Sequence, residues 1–374
     1  MNKPLLAIPL ALALLGQGCA PSSPAPSALP PAPSPTSTPS AGDPVRSPEI
    51  VATGLEIPWD IAFLPAGDML VTERVGKVTG IARDGSKVNI TGVPDVRRSG
   101  EGGLLGILLH PDFANNRSLY LYLTFTKDGK AVCRVDRFVL DGTALTNATT
   151  ILNDIPCAIY HDGGRMAWGP DGKLYVTTGD ATVERNAQDK NSLAGKILRL
   201  NEDGSIPGDN PFGTAVWSYG HRNPQGIAWD SQGRLWATEH GRSGITTGFD
   251  ELNLIEKGAN YGWPTIQGPD KRDGMQTPKL QSGSATTWAP ASALYWDNSI
   301  FFGGLRGEAL YEADITQSPP VLKEHFKGTY GRIRTVTLGP DGMFYLTTSN
   351  RDGRGTVKDG DDRIIRVDPR MFRE

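Results

Sequence analysis

A histidine and a later aspartate are the first residues whose types and spacing could do chemistry. The segment from His161 to Arg165 stands directly before an apolar stretch, and Asp180 follows that stretch. If the stretch is a hairpin, the returning chain brings Asp180 close to His161. A carboxylate on one imidazole nitrogen fixes the tautomer and raises the basicity of the other, as a general base requires. Spacing alone favours a histidine that is merely capped by its neighbours, so both interpretations stay open here.

An arginine followed by an asparagine, Arg222-Asn223, precedes the next apolar stretch. The planar guanidinium fork and the amide together suit a ligand that carries carboxylates or quinone oxygens. The alternative is a structural loop with an exposed arginine.

Three polar segments further along the chain are candidates for a calcium site. They are residues 239–242 (EHGR), 249–253 (FDELN) and 260–264 (NYGWP). Ca²⁺ takes oxygen ligands in flexible geometry, which carboxylates and backbone carbonyls in long loops supply. An acidic loop without a metal is the alternative. The cysteines and histidines lack the paired spacing of a zinc site.

A basic set completes the candidates. Arginines that converge on one rim bind a polyanionic small molecule, whereas scattered ones are ordinary surface charge. The candidate residues of this set lie at corresponding positions of the last units of a repeated sequence pattern, described below, which predicts that they share one rim. They are Arg306, Arg332, Arg334 and Asn350.

The composition indicates a turn-rich all-β scaffold for these groups. The chain has 374 residues with 45 Gly and 29 Pro, which excludes a helical bundle because both weaken helix interiors. Its 38% hydrophobic residues and 8 Trp exclude a wholly disordered protein. The formal net charge of −3 gives no electrostatic reason to propose nucleic-acid binding.

One pattern recurs six times: an apolar strand, a turn often of the Pro-Asp-Gly type, and a second apolar strand. Pro sets φ at one turn position and Asp-Gly supplies the left-handed one. Recurrence roughly every 45–65 residues is typical of a propeller. We therefore predict a six-bladed β-propeller of four-stranded antiparallel blades, with a β-sandwich or several small β domains as the alternative. The units span residues 59–73, 105–122, 166–177, 226–238, 293–302 and 336–347.

The N-terminal residues predict export. Residues 1–18 have a basic start and an apolar run too short to span a bilayer, as in a signal peptide. They resemble a lipoprotein signal in which Cys19 becomes the lipidated terminus of a periplasmic or cell-surface protein; ordinary cleavage is the alternative. Residues 19–48 are rich in Pro, Ser and Ala and predict a disordered tether. Residues 49–374 form the predicted propeller.

The other two cysteines, Cys133 and Cys157, flank one hairpin region. In an exported protein they can form a disulfide, and two buried thiols are the alternative.

The ordered set of motifs resembles the soluble glucose/aldose sugar dehydrogenase family that uses pyrroloquinoline quinone (PQQ). The resemblance covers about residues 49–374 and is nearer to the aldose sugar dehydrogenase branch. Besides His161 with Gly164-Arg165, its marks are residues 102–106 (GGLLG), 110–113 (HPDF), 220–226 (GHRNPQG), 250–253 (DELN), 260–264 (NYGWP) and 350–355 (NRDGRG).

The resemblance implies oxidation of an aldose at its C1 hydroxyl to the lactone. His161 would be the general base, oriented by Asp180, and a hydride would pass to PQQ. Arg222 and Asn223 would lie beside the quinone oxygens. Glu101 is a cofactor-binding position where glucose-specific members often have Gln. An external acceptor would then take the electrons.

The resemblance also implies Ca²⁺. Gly241 and Arg242 would bind, through their backbone carbonyls, an ion that also ligates PQQ. Glu251 and Tyr261 would serve a second, structural ion. The PQQ carboxylates and their surroundings would be held by the basic set of Arg306, Arg332, Arg334 and Asn350.

Two other functions remain open from the sequence. A Ca²⁺-dependent propeller lactonase shares the fold and the metal but needs no quinone, and the arginine-rich rim argues against it. A sugar- or protein-binding propeller without catalysis would need no base. The leading prediction is a monomeric aldose dehydrogenase that is exported and anchored through Cys19.

Overall fold

The computed structural model describes residues 45–242 and 248–373. The predicted signal peptide, Cys19 and the predicted tether up to residue 44 lie outside the described residues. The described helices are single turns, α1 (Phe113–Asn116), α2 (Arg185–Gln188) and the 3-10 helix η1 (Pro369–Phe372). None of the helices in this part of the chain has the length and apolarity to cross a membrane.

The described chain forms six four-stranded antiparallel sheets, as the sequence predicted. It begins with strand β1 (Glu49–Ala52). Blade 1 consists of β2 (Pro58–Phe63), β3 (Met69–Glu73), β4 (Lys77–Ile81) and β5 (Lys87–Ile90). Blade 2 consists of β6 (Leu104–Leu109), β7 (Ser118–Lys127), β8 (Lys130–Asp141) and β9 (Ala144–Pro156). Blade 3 consists of β10 (Met166–Trp168), β11 (Leu174–Thr178), β12 (Lys196–Leu200) and β13 (Val216–Tyr219).

The remaining blades follow in the same order. Blade 4 consists of β14 (Pro224–Trp229), β15 (Leu235–Glu239), β16 (Glu251–Ile255) and β17 (Leu280–Gln281). Blade 5 consists of β18 (Pro290–Trp296), β19 (Ser299–Gly304), β20 (Ala309–Asp314) and β21 (Val321–His325). Blade 6 consists of β22 (Ile333–Leu338), β23 (Phe344–Thr348) and β24 (Ile364–Val367), and β1 completes it.

The last blade is closed by the first strand. β1 pairs antiparallel with β24, with Glu49 opposite Arg366. The two ends of the described chain are therefore held in one sheet, which joins blade 6 to blade 1. The six repeated units of the sequence are the first two strands of the six blades.

Each interface between neighbouring blades contains its own apolar cluster. Successive residues of a strand point to opposite faces, so one strand supplies two interfaces. In β19, Ile300 and Phe302 pack in the cluster towards blade 4, whereas Phe301 packs towards blade 6. A blade is thus buried on both faces by its neighbours, which explains its nearly continuous apolar strands.

The aspartate of the Pro-Asp-Gly turn lies between the first two strands of its blade and also accepts a hydrogen bond from the third strand. Asp171 accepts hydrogen bonds from Lys173 N (3.1 Å), Tyr175 Oη (3.1 Å) and Arg199 Nε (2.8 Å). Asp341 makes the equivalent contacts in blade 6. The turn residue therefore also fixes the third strand, which explains the repeated use of Asp there.

The first strands of neighbouring blades pack against one another and form the innermost ring. In an antiparallel hairpin, the start of the first strand and the end of the second lie at the same end of the sheet. Residues that precede a first strand and those that follow a second strand therefore gather at one end of the propeller.

Candidate active site

A cavity of about 490 Å³ lies at that end and is lined almost wholly by residues next to strand termini. Polar and charged side chains predominate, with guanidinium groups and carboxylates facing the same space. The lining residues are Glu101, Tyr160, His161, Arg222, Asn223, His240, Gly241, Arg242, Asp250, Thr287, Ala289, Leu305, Arg306, Arg332 and Arg354.

The structure places the imidazole of His161 against the carboxylate of Asp180. His161 Nδ1 and Asp180 Oδ1 are 2.7 Å apart, and the Asp180 side chain is only 1% exposed. Asp180 also accepts from Thr182 N (2.7 Å) and from Trp263 Nε1 (2.8 Å). Because a carboxylate only accepts, His161 Nδ1 is the donor of this pair, so in the neutral imidazole Nε2 is the nitrogen that can accept a proton.

The backbone around this pair is strained or tightly packed. His161 has φ of 66°, a left-handed conformation that is uncommon outside glycine. A side chain at Gly163 would meet the backbone of Thr177 and Thr178, and one at Gly179 would meet the His161 carbonyl. Both glycines are needed because the two loops that carry the pair touch through their backbones.

Glu101 supports the histidine from another blade. Its Oε2 accepts from His161 N (3.0 Å) and its Oε1 from Arg354 Nη1 (3.1 Å). Burial alone would raise the pKa of Glu101, but the charge of His240, the His161 N–H and Arg354 hold that pKa at about 2. Glu101 is therefore a carboxylate at neutral pH. Arg354 lies outside the set of site residues predicted from the sequence.

Arg222 and Asn223 join the neighbouring loops. Asn223 Oδ1 accepts from Gly163 N (3.0 Å), and Arg222 lies with its guanidinium carbon 5.4 Å from the centre of the Trp263 ring. Burial lowers the pKa of Arg222, while the carboxylates of Asp180 and Glu101 oppose that change. Both residues line the cavity.

A buried network lies behind Arg222. His221 is bound through Nδ1 to Glu239 Oε2 (2.8 Å), and Glu239 accepts from the backbone N–H of Arg222. The ring of Tyr261 stacks on His221 with the ring centres 4.7 Å apart. The Tyr261 hydroxyl donates to Leu254 O (2.7 Å). Tyr261 therefore supports the site from behind and does not line the cavity.

Of the predicted set of Arg306, Arg332, Arg334 and Asn350, the structure places two residues in the cavity lining and two behind it. Arg306 and Arg332 line the cavity, and Arg332 is fixed by Asp352 (2.7 Å). Arg334 is buried outside the lining and donates to Gln225 Oε1 (3.2 Å); burial lowers its pKa to about 9. Asn350 lies behind Arg332, accepting from its backbone N–H (2.9 Å).

Gly241 and Arg242 line the cavity beside an organised carboxylate. Asp250 accepts from Gly241 N (2.8 Å) through Oδ1 and from Ala289 N (2.9 Å) through Oδ2. No described residue donates a hydrogen bond to the Gly241 carbonyl, whereas the Arg242 carbonyl accepts from Gly248 N (3.1 Å). Residues 243–247, between them, lie outside the described residues.

Glu251 lies away from the cavity in a separate cluster. It accepts from Asn253 Nδ2 (3.0 Å) and Gly268 N (3.0 Å). Burial raises the pKa of Glu251 to about 8, and the nearby Glu239 adds to that effect. In the described part of the chain, the buried atoms Asn253 Oδ1 and Gln267 Oε1 have no hydrogen-bond partner.

A second cavity, of about 400 Å³, adjoins the first and is called the outer cavity below. It shares the lining residues His161, Arg222 and Arg242 with the first cavity, so the two spaces adjoin at these residues. Its lining residues are His161, Asp180, Thr182, Glu184, Arg222, Arg242 and Trp263. Thr182, Glu184 and Trp263 were not among the site residues predicted from the sequence, and only the NYGWP motif points to Trp263.

A disulfide joins Cys133 to Cys157. The sequence left a disulfide and two thiols open, and the structure has the disulfide. Cys157 is four residues before His161, so the bond tethers the segment that carries the histidine to strand β8 of blade 2.

Comparisons with known proteins agree on one group of relatives. The sequence model of the family described as glucose / sorbosone dehydrogenase matches residues 55–358. The PQQ-bound structure of an aldose sugar dehydrogenase from Streptomyces coelicolor is 41% identical, covers 87% of this chain and 99% of that chain, and has a TM-score of 0.80. Aldose sugar dehydrogenase YliI of Escherichia coli is 32% identical over 361 residues, 86% of this chain and 92% of that protein. Quinoprotein glucose dehydrogenase B of Acinetobacter calcoaceticus is 33% identical over 255 residues, 59% of this chain and 52% of that protein.

Proposed function

Since this chain belongs to the glucose / sorbosone dehydrogenase family, we propose that it is a PQQ- and Ca²⁺-dependent aldose dehydrogenase that oxidises the C1 hydroxyl to the lactone. The observation that carries the proposal is the His161–Asp180 pair at the junction of two cavities. Solved relatives of this fold include one with PQQ bound, which supports the choice of cofactor.

The residues of the first cavity fit PQQ. PQQ is flat and carries three carboxylates, and Arg306 and Arg332 supply guanidinium groups to the lining of the cavity. His240 also lines the cavity, and its buried Nε2 has no hydrogen-bond partner among the described residues. Arg222 and Asn223 would hold the quinone edge. When bound, PQQ supplies the oxidant that takes the two electrons of the reaction.

The same cavity offers oxygen ligands for a Ca²⁺ ion. The Gly241 carbonyl accepts no hydrogen bond from any described residue, and the Arg242 carbonyl keeps a second lone pair. We assign these two carbonyls to the ion, with Asp250 fixing the loop that presents Gly241. When bound, Ca²⁺ supplies Lewis-acid polarisation of a carbonyl oxygen.

The chain's own part in the chemistry is proton transfer. Nε2 of His161 would accept the proton of the anomeric hydroxyl, because Nδ1 already donates to Asp180. The buried Asp180 carboxylate would stabilise the resulting imidazolium. The N–H groups of Thr182 and Trp263 hold that carboxylate in place, so the base is oriented before the sugar binds.

We also propose a structural cation at Glu251. A buried carboxyl with a raised pKa and two neighbouring amide oxygens without partners, on Asn253 and Gln267, form an oxygen-rich set. Tyr261 would contribute only its backbone carbonyl, because its hydroxyl is already engaged.

The N-terminal residues support a location outside the cytoplasm. We propose that residues 1–18 direct export, that Cys19 carries a lipid anchor, and that residues 19–48 form the tether. The Cys133–Cys157 disulfide is in keeping with an oxidising compartment. Electrons would pass to an external acceptor.

The carboxylates of the cavity favour the dehydrogenase over a lactonase. A lactonase of this fold would use side-chain carboxylates as metal ligands. Here Glu101 is committed to His161 N and Arg354, and Asp250 to backbone N–H groups. Both carboxylates therefore already hold loops of the site in place, which is a structural use rather than metal ligation.

Reconstitution tests the proposal. Apo-protein is titrated with PQQ and Ca²⁺, the quinone spectrum is recorded, and a panel of aldoses is added with a dye acceptor. We expect saturable cofactor binding and dye reduction. His161→Ala is expected to keep the bound-cofactor spectrum and lose turnover about 10²- to 10⁴-fold, the usual share of a general base.

The matched control is His110→Ala, a histidine paired with Glu202 outside both cavities; it should keep turnover. Absence of dye reduction with every aldose refutes the function. Full turnover in His161→Ala removes that residue from its role.

A further inference from the structure

We propose that Glu184 is a specificity-determining residue that accepts a hydrogen bond from a ring hydroxyl of the aldose in the outer cavity. The inference rests on the proposed function and assigns a substrate contact to a residue outside the PQQ and Ca²⁺ sets. It depends on the shape of the outer cavity, on the state of its carboxylates, and on the rigidity of the segment that carries Glu184.

The outer cavity adjoins the first cavity, so a sugar bound at His161 can extend into it. His161, Arg222 and Arg242 line both cavities. A sugar whose anomeric hydroxyl lies at His161 Nε2 is therefore bounded by the outer cavity on one side. A ring hydroxyl that enters the outer cavity would meet Glu184, which is one of its lining residues.

Glu184 is the carboxylate of this cavity that still has acceptor capacity. Asp180, the other one, accepts from His161, Thr182 and Trp263. Among the described residues, the Glu184 side chain takes part in no ion pair and no hydrogen bond. A carboxylate only accepts, and sugar hydroxyls donate, so the two are complementary.

The segment that carries Glu184 is held rigidly from below. The buried Lys196 donates through Nζ to the carbonyls of Asn186 (2.7 Å), Ala187 (3.1 Å) and Ala194 (2.7 Å). Asn186 Nδ2 in turn donates to the Asp180 carbonyl (3.1 Å). These bonds fix the backbone that carries Glu184 before a sugar binds, whereas the exposed Glu184 side chain is ordered only on binding, at a cost in rotamer entropy.

The backbone beside Glu184 has the strain that marks functional loops. Ala181 and Thr182 both adopt left-handed φ values, of 56° and 59°. Two such residues in succession turn the chain sharply after Asp180, and Thr182 and Glu184 then line the same cavity as Asp180.

Trp263 is the aromatic residue in the lining of the outer cavity, and it is largely buried beside Arg222. Its ring lines the outer cavity while its Nε1–H donates to Asp180. The part of Trp263 that reaches the cavity would give a bound sugar an apolar contact, and Glu184 would give it a directional polar one.

The test compares an aldose with its 2-, 3-, 4- and 6-deoxy analogues in wild type, Glu184→Ala and Glu184→Gln. In wild type, one analogue is expected to lose about tenfold in kcat/KM, since it lacks one hydrogen bond. Glu184→Ala is expected to lose about tenfold on the parent sugar and nothing further on that analogue. Glu184→Gln should lie between them, because the amide oxygen still accepts.

The matched control is Glu324→Gln, a partly exposed carboxylate on β21, outside both cavities, that pairs with Lys327. It should leave every ratio unchanged. Deoxy-sugar ratios in Glu184→Ala identical to those of wild type overturn the proposal. If none of the aldoses supports dye reduction by the wild-type protein, the proposed function itself fails, and that result differs from a failure of the Glu184 proposal.

A binding readout completes the test. 1,5-Anhydroglucitol keeps the ring hydroxyls but has no anomeric hydroxyl, so it binds without turnover. Calorimetry on protein reconstituted with PQQ and Ca²⁺ should give about tenfold weaker affinity in Glu184→Ala than in wild type or Glu324→Gln. Equal affinities, or no binding to wild type, contradict the proposal.

Discussion

Replacing Asp180 by Asn tests how His161, the proposed general base, is held. The carboxylate accepts from three donors: His161 Nδ1 and Thr182 N at Oδ1, and Trp263 Nε1 at Oδ2. An asparagine of the same shape has one oxygen and one NH₂ group. Whichever way the amide is turned, its NH₂ faces a group that already donates.

The two orientations have different consequences. With the NH₂ towards His161, the imidazole must place its proton on Nε2, which then can no longer accept one. With the NH₂ towards Trp263, the tautomer is preserved, but two buried donors face each other. Leaving a buried donor unsatisfied costs about 1–3 kcal/mol.

The expected loss of activity follows from these contacts. Loss of a charge-assisted hydrogen bond costs about 1.5–3 kcal/mol, which is roughly 10- to 150-fold in rate. The wrong tautomer alone costs about 10⁴-fold in the Asp-to-Asn variant of a serine-protease triad. We therefore expect Asp180→Asn to lower the rate of the reductive half-reaction by about 10²- to 10⁴-fold.

The assay is a single-turnover measurement, in which the reconstituted protein is mixed with an aldose and the quinone spectrum is followed. The control is Asp171→Asn, a turn residue of the same blade that accepts from Tyr175 and Arg199. This variant should be less stable but should react at the wild-type rate.

A second substitution separates the two orientations. In Asp180→Asn/Trp263→Phe the NH₂ group no longer faces a donor, so the oxygen is free to accept from His161. The double variant should react faster than Asp180→Asn alone. A rate for Asp180→Asn within threefold of wild type would refute the assignment of the base. Strictly additive losses in the double variant would refute the role of the Trp263 hydrogen bond.

The other predictions concern stability. Burial raises the pKa of Asp162 to about 7 from 3.8, so the folded protein holds a proton that the unfolded chain releases. The free energy of unfolding should therefore fall as pH rises from about 4 to about 7, and urea titrations should show a smaller fall in Asp162→Asn; equal pH profiles contradict this. Cys133 and Cys157 are 24 residues apart, so Cys133→Ala/Cys157→Ser should lower the free energy of unfolding by about 3–4 kcal/mol. An unchanged urea midpoint for that double variant would show that the cross-link does not stabilise the fold.

The hairpins were predictable because their signals are local. Alternation of side chains and turn chemistry are properties of a few consecutive residues, and unit 166–177 became β10 and β11. Outer strands carry weaker signals. The half-exposed strand β21 reads VLKEH, and β17 has only two residues, so neither stands out in the sequence.

Closure of the ring was not predictable from local patterns. Residue Glu49 pairs with Arg366, more than 300 positions away. The N-terminal stretch before the first unit has no partner nearby in sequence. Only the curvature accumulated over six packed blades brings it to the open edge of blade 6.

The candidate site shows the same division. The hairpin between His161 and Asp180 is short, so the proximity of these two residues could be predicted from the sequence. The contacts of Trp263 with Asp180 and of Arg354 with Glu101 join residues 83 and 253 positions apart. Arg334, predicted at the rim, is instead buried against Gln225 of another blade.

The sequence by itself determined the repeat, the turns and the family, because each depends on neighbouring residues or on ordered motifs, and it made His161 and Asp180 candidates for a short-range pair without deciding their role. The tertiary structure decided which side chains share a cavity and which are buried behind it. Side chains reach the cavity from several blades, and their separation depends on how those blades pack. Glu184 illustrates the difference: its sequence neighbours mark it only as a surface residue, and the fold makes it part of the lining of the outer cavity, together with His161.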